Sequence, residues 1–309
     1  MKRTIIFIAF FALAIGVKAQ KADTARKESA TDSLMNSLSG DNARKGDILP
    51  AFKATRLIFS PTTQTVAKNN LNFLVIHRFG DIGTSTGGAR TLFGLDAIND
   101  VYIGFEYGVT NNFTAIFGRS VIGQLIDLQL KYAILHQTND DSSPLAITLE
   151  GGAGVRPYGS FTSFDNRLSY LAEAIFSRKF TSAFSLEISP VFVQDNQPIP
   201  NLPGNDQSFF SIAAAGRLKV TKHMSILVDY EHPFSNYKTG ANSFEDPLGF
   251  GAEFETGGHV FTLNVTNARG IDQINSLSGS QAAYGRGQYR FGFTISRMFD
   301  FNRHKNRSW

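Results

Sequence analysis

From Val101 to Ser120 the chain reads VYIGFEYGVTNNFTAIFGRS, and its apolar residues keep to one parity. Val101, Ile103, Phe105, Tyr107 and Val109 alternate with Tyr102, Gly104, Glu106 and Gly108, and after Thr110-Asn111-Asn112 the apolar set resumes at Phe113, Ala115 and Phe117. Side chains along a strand point to opposite faces in turn, so this stretch predicts two strands joined by a tight turn, each with one apolar face. What covers that face, a second sheet or lipid, depends on the rest of the pattern.

The period of two continues almost to the end of the chain. Alternation and turn signals predict twelve strands, at Asn70–Phe79, Val101–Val109, Asn112–Arg119, Gln124–Leu135, Leu145–Val155, Arg167–Phe180, Phe184–Val193, Ser208–Val220, Met224–Pro233, Leu248–Glu255, Val260–Asn267 and Gln288–Phe299. The connections alternate between short and long. TNN, TSA, TKH and TGGH lie at one end, and long segments such as 80–100, 156–166, 194–207, 234–247 and 268–287 at the other, HQTNDDSSP and a tight bend near Val121 being the departures. Short turns at one end and long loops at the other, between an even number of strands, are the pattern of a transmembrane β-barrel. Twelve strands place both barrel ends on the periplasmic side and leave the long segments as external loops.

The two faces differ in chemistry. One parity carries residues such as Leu128, Leu130, Phe176, Ile188, Phe210, Ile226, Leu263, Phe291 and Phe293. The other carries Glu106, Asp127, Lys131, Glu150, Glu173, Glu187, Arg217, Asp229, Glu253 and Arg290, with glycines and serines between them. A soluble barrel would put the apolar set inside and the polar set outside. Lipid outside and a charged lumen inside accounts for both sets, so the fold class expected is all-β, a transmembrane up-and-down antiparallel barrel. Leu171 and Ile175 break the rule by pointing inward, and Asn70–Phe79 is mixed on both faces.

Other segments frame the barrel. Lys2 and Arg3 precede the apolar run Ile5–Val17, and small residues Val17 and Ala19 follow the pattern of a secretory signal peptide cut after Ala19. Residues 20–50 are expected to be a polar periplasmic linker with a short helix near Leu34 to Leu38, and 302–309 a polar tail. Between linker and barrel (70–301) lies 51–69. Counting ILPAFKATRLIFSP, Ile48 to Pro61, as a strand would make thirteen, so it is read as an extra element at the periplasmic mouth or in the lumen.

Composition narrows function. With 42% hydrophobic and 18% charged residues the chain is not disordered in character, and without cysteine it has no thiolate chemistry or disulfides. Loss of Lys2, Arg3 and Lys18 with the signal peptide takes the formal net charge from +4 to +1, so a nucleic-acid partner is not expected. Gly83 to Gly87 reads GTSTG, the spacing of a serine nucleophile, but no strand-to-helix turn surrounds it, and an external loop accounts for it. Among the six histidines no pair has helical metal-ligand spacing, and only His77 and His232 approach the outer rim. No metal, cofactor or catalytic residue is expected. Phe113, Phe180, Phe184, Tyr230 and Phe299 fall near strand ends, where aromatic girdles sit.

Two resemblances add to this reading. GQYRFGFTISRMFDF resembles the carboxy-terminal assembly signal of outer-membrane barrels, Arg297 departing from its hydrophobic preference, and this implies the barrel-assembly machinery as a partner during biogenesis beside outer-membrane lipid. The order His77-Arg78-Phe79-Gly80, Phe93-Gly94-Leu95-Asp96, Tyr107-Gly108 and Gly118-Arg119-Ser120 resembles a family of outer-membrane β-barrels from Bacteroidota known as a domain of unknown function, over about Phe52 to Phe301. That likeness implies location and architecture and supplies no reaction. The expected function is a narrow channel or small-solute transport protein in the outer membrane of a Gram-negative bacterium, its solute unspecified. The alternatives are a structural or accessory barrel with an occluded lumen, a rim hydrolase, and a soluble secreted β protein. Mid-strand carboxylates would either line a cation-preferring pore or pair with the lumen bases.

Overall fold

The computed structural model describes residues 45–83, 87–197, 207–235, 245–279 and 287–301. Twelve antiparallel strands close into one barrel: β1 (Asn70–Asp81), β2 (Ile98–Gly108), β3 (Phe113–Ser120), β4 (Ile126–Leu135), β5 (Ala146–Val155), β6 (Leu168–Lys179), β7 (Phe184–Asp195), β8 (Ser208–Lys219), β9 (Met224–Phe234), β10 (Leu248–Thr256), β11 (His259–Thr266) and β12 (Arg290–Asp300). Each strand pairs with its sequence neighbours, and β1 meets β12 from Asn70↔Asp300 to Arg78↔Gly292, shifting by one step beyond Arg78. A closed ladder leaves no edge, which a sheet in hydrocarbon requires because unpaired N–H and C=O groups find no water there.

The faces separate along every strand. Outward positions form a continuous apolar belt that includes Phe105, Phe117, Leu128, Leu130, Tyr132, Leu149, Phe176, Ile188, Phe210, Ile226 and Leu263, all exposed to the surroundings. Soluble monomers rarely expose apolar patches above a few hundred Å², whereas a belt around the whole wall is what hydrocarbon covers. Lipid is the answer to the question raised by Val101–Ser120.

The mixed strands follow from what lies inside. On β1, Asn72, Leu74, Ile76 and Arg78 are buried inward, while His77 faces outward and stacks on Phe293 with centroids 5.4 Å apart. Leu171 also faces in, against an apolar filling rather than water, and Ile175 is fully buried on the same face. That filling comes from two segments that are not strands. One is a hairpin at 51–66; the other is the chain from Asn267 to Gly279, with the single described α-helix, α1 (Gln273–Gly279). The sequence pattern places 268–287 among the external loops, but its described part, through Gly279, lies inside the barrel. Ile271, Ile274 and Leu277 recur every three residues, and the lumen is where that apolar stripe can be buried.

Small residues make room for this filling. A Cβ at Gly249 would lie 2.9 Å from Ile58 Cγ2 of the hairpin, and one at Gly118 would collide with the Tyr102 ring. Tyr102 uses that space to reach Asp127, donating its hydroxyl to Oδ2 at 3.1 Å.

Candidate functional site: a lumen closed by two segments

The hairpin enters and leaves by the end that carries the short turns. Leu49 N–H donates to the Gln137 carbonyl beside the β4–β5 turn, the chain rises to Ile58–Ser60, and Lys68 N–H returns to Asn111 in the β2–β3 turn at 3.0 Å. Inside it is a tight reversal, with Leu57 N–H donating to Ser60 O and Thr62 N–H to Thr55 O, both at 2.9 Å. Its apolar side, Ala51, Phe52, Leu57, Ile58 and Phe59, packs with Ala215 and Leu227 of the wall and Ala268 of the second segment. An irregular backbone buried this deeply must find hydrogen-bond partners. Asp229 supplies them: Oδ2 accepts the N–H groups of Ile58, Phe59 and Ser60 at 3.1, 2.9 and 3.0 Å, and Oδ1 accepts the Ser60 hydroxyl at 2.6 Å.

The second segment is held by more of the wall. Three guanidinium groups donate to its carbonyls: Arg290 to Asn267 at 2.6 Å, Arg78 to Ala268 and Gly270, and Arg56 of the hairpin to Ile271 at 3.2 Å. Two carboxylates take its donors. Asp100 accepts Ile271 N–H at 3.0 Å, and Glu231 accepts Gln273 Nε2 at 3.0 Å and the Ser276 hydroxyl at 3.2 Å. Arg156, paired with Asp195 through two bonds of 2.7 and 2.9 Å, reaches Asn275 Oδ1 at 3.2 Å. Ile274 and Leu277 sit among Leu125, Leu171, Val191, Val193, Phe209 and Ala213. Within the segment Asp272 accepts Asn275 N–H and its side-chain amide. Burial, with Asp100 and Asp127 nearby, pushes the Asp272 carboxyl up to about 7.

The ten lumen charges named from sequence all lie buried on the inner face. They serve three different ends. Lys131 pairs with Glu150 at 2.9 Å and also donates to Thr55 O of the hairpin, Arg217 pairs with Glu253 at 2.7 Å and with Glu255, and Arg290 pairs with Asp81 at 2.5 Å. Glu106 accepts Asn72 Nδ2 at 2.9 Å, Asp127 accepts Tyr102 and Gln129, and Asp229 holds the hairpin. Glu173 and Glu187 have no hydrogen-bond partner among the described residues on either carboxylate oxygen. Sequence reasoning passed over Arg56, Arg78, Asp100, Arg156, Asp195, Glu231 and Asp272. Glu231 shares the parity of Asp229 and was legible; Arg56 and Asp272 lie in segments without period, where nothing signals direction.

The remaining candidates fall elsewhere. His77 is on the lipid face, and His232 Nδ1 lies 2.8 Å from Asp246 Oδ2, which also accepts the Tyr230 hydroxyl at 2.6 Å. Thr84 to Thr86 of GTSTG lie outside the described residues, as do the signal peptide, residues 20–44 with the helix expected near Leu34, and the tail 302–309. Among the described residues no group of three or more histidine or acidic side chains is arranged to hold a metal ion.

A closed twelve-strand wall, an apolar belt and a charged, filled lumen define the chain. A family model described as membrane bound beta barrel domain (DUF5777) matches residues 52–299. The chain belongs to that family. It is a membrane-bound barrel of the outer-membrane type, matched through both the hairpin and the wall. Among solved structures, the NanC porin is similar at 10% identity over 74% of this chain and 98% of its own, with a TM-score of 0.43. The KdgM porin is similar at 7% identity over 75% and 99%, with a TM-score of 0.44, and the Salmonella typhi OmpF complex with daunomycin at 8% over 74% and 96%, with 0.38. A comparison with functionally curated proteins finds no match.

Proposed function

We propose that this barrel is a conduit for small solutes that the structure captures closed, with the hairpin 51–66 as the element that must move for passage. The observation that supports the reading is the chemistry of the surface that the hairpin covers. Withdrawing the hairpin would uncover Glu106, Lys131, Glu150 and Asp229, a charged lining that water and ions can wet. The hairpin joins the wall covalently only through the chain leading to β1, so it can leave without breaking the barrel. An acidic lining predicts a preference for cations.

A second reading, an accessory barrel that never conducts, draws on the two apolar clusters that bind both segments to the wall. Single-channel recording in planar bilayers separates the two. The conduit reading expects a nearly silent wild type and cation-preferring openings after deletion of Ala51–Val66. Folded barrels that stay silent after that deletion, and after a second deletion of Ile271–Ser278, would establish the accessory reading instead.

A further inference from the structure

The lipid face of the barrel is uneven. On β9 to β12 the outward positions are mostly bulky, with Ile226, Val228, Phe250, Phe254, Leu263 and Phe291 among them. On β5 to β7 they fall to Gly151, Ala172, Ala174 and Pro190, and these four form the floor of an apolar trench of about 560 Å³ that opens to the lipid. Leu130, Tyr132 and Leu149 bound it toward β4, and Phe192 and Phe210, with ring centroids 5.1 Å apart, bound it toward β8.

The register gives the trench its direction. Leu130↔Gly151↔Ala172↔Phe192↔Phe210 is one row of cross-strand neighbours, and Phe113↔Tyr132↔Leu149↔Ala174 is the row beside it, which Pro190 continues. The trench is therefore two rows wide and crosses six strands, about 24 Å along the hydrogen-bonding direction. It starts beside the β2–β3 turn, where Phe113 and Tyr132 lie 6.5 Å apart between centroids, and ends near the start of β8. The wall does not need this composition. Glycine, alanine and proline are among the residues that strands favour least. Pro190 also costs pairing: the β6–β7 register reaches Glu173↔Val191 and resumes only at Phe176↔Ile188, with Pro190, which has no N–H to donate, in the gap. What these residues supply is a concave shape.

We propose that the trench is a binding site for one acyl chain of a membrane phospholipid, held in place while the lipid around the rest of the barrel exchanges. The trench is continuous with the apolar belt, so what meets it is hydrocarbon. It is long, narrow and apolar, the form of an extended chain. In a bilayer no hydrophobic gain distinguishes one apolar surface from another, and retention comes from van der Waals packing against a concave surface. A second barrel fits less well. Strands of such barrels tilt by roughly 35–45°, so the trench is oblique to the membrane normal. For two copies related by an axis along that normal, the facing trenches cross instead of meshing. The site lies outside the wall and is independent of whether the lumen conducts.

The test reconstitutes the full-length protein into vesicles of phosphatidylethanolamine and phosphatidylglycerol, extracts it again in mild detergent and weighs it by native mass spectrometry. A single phospholipid should remain on the monomeric barrel after detergent and loosely held lipid are stripped. Ala172→Leu with Ala174→Leu fills the floor from outside and should remove that lipid from nearly all barrels. Ala252→Leu, the same change at an outward position of β10, should keep it. The heat-modifiable band shows that both variants are folded. A wild type without lipid, equal retention in the filled variant, or a lipid-free dimer that the filled variant splits would overturn the proposal, the last in favour of a second copy. One measurement needs no variant: crystals of the wild type grown with phosphatidylethanolamine brominated on one chain should show anomalous density between Tyr132 and Phe210, and its absence would also overturn the proposal.

Discussion

The two segments that fill the lumen are built differently. The hairpin has no acidic or histidine side chain between Ile48 and Val66, offers three consecutive backbone N–H groups to the Asp229 carboxylate, meets Lys131, Thr148 and Thr114 of the wall at Thr55 O, Thr63 O and Val66 N–H, and joins the wall covalently at one end. The α1 segment is continuous with β11 and, beyond the described part, leads to β12; it is held by Arg78, Arg290, Asp100, Glu231 and the Arg156–Asp195 pair, and it carries its own carboxylate, Asp272. The hairpin meets two charged groups of the wall, Asp229 and Lys131, with hydroxyl contacts besides, whereas the α1 segment meets five, Arg78, Arg290, Asp100, Glu231 and Arg156. Fewer charged contacts are released by fewer changes, and under the proposed function that difference assigns the movement to the hairpin.

The largest effect expected is from Asp195→Ala. It strands the buried Arg156 guanidinium, and removing one partner of a buried pair costs about 3–5 kcal/mol. Hydrogen exchange should show lost protection at residues 273–277 with the Ile58–Ser60 amides unchanged; equal loss in both segments would erase the distinction between them. Next comes pH. The folded Asp272 carboxyl stands at about 7, above its ordinary value near 3.8, so its protonated form is stabilising. That contribution is complete below pH about 3.8, falls as pH rises, and is gone above pH about 7, a change on the order of 4 kcal/mol for a fully buried group. Asp100, Asp127 and the Tyr102 hydroxyl face it. Exchange at α1 should therefore speed up between pH about 4 and about 7 after correction for the intrinsic rate, and Asp272→Asn should flatten the change; an unaltered slope in that variant would reject this assignment.

A smaller effect tests the wall without touching either segment. Leu263→Arg puts charge in the hydrocarbon and should cost roughly 2–4 kcal/mol of insertion, read as loss of the heat-modifiable folded band on gels, while Asn264→Arg on the inner face should be milder. Equal behaviour would reverse the assignment of faces. The smallest shift expected is from Asp229→Asn, which replaces charge-assisted bonds to the hairpin by neutral ones at a cost of about 1.5–3 kcal/mol. Protease should then cut near Ile58–Ser60 while α1 remains protected. If α1 is lost as readily, through the Arg56 to Ile271 bond, the two segments form one cooperative unit and the comparison fails.

Strand parity was enough to read the wall. The alternation from Val101 to Phe117 and its recurrence through Phe291 place each side chain in or out, because in a strand direction follows from position alone. All twelve strands therefore lie within a few residues of the sequence expectation, and the buried set from Glu106 to Arg290 follows from the same rule. The exceptions were informative: Leu171 points inward because α1 makes the lumen partly apolar, a reason that no single strand contains, and Ile175 is buried on the same face.

By itself the sequence determined the number of strands, their faces, and the short-turn and long-loop ends, since each depends on residues adjacent along the chain. Only the tertiary structure decided that the lumen is filled, and by what. Asp229 meeting Ile58–Ser60 spans about 170 residues of chain, and Arg78 meeting Gly270 about 190. An irregular segment has no period from which its direction can be read, and it takes its place where the wall happens to offer partners for its backbone. The charges that sequence marks as lumen-lining were therefore legible as positions, while their use as moorings was settled by contacts between distant parts of the chain.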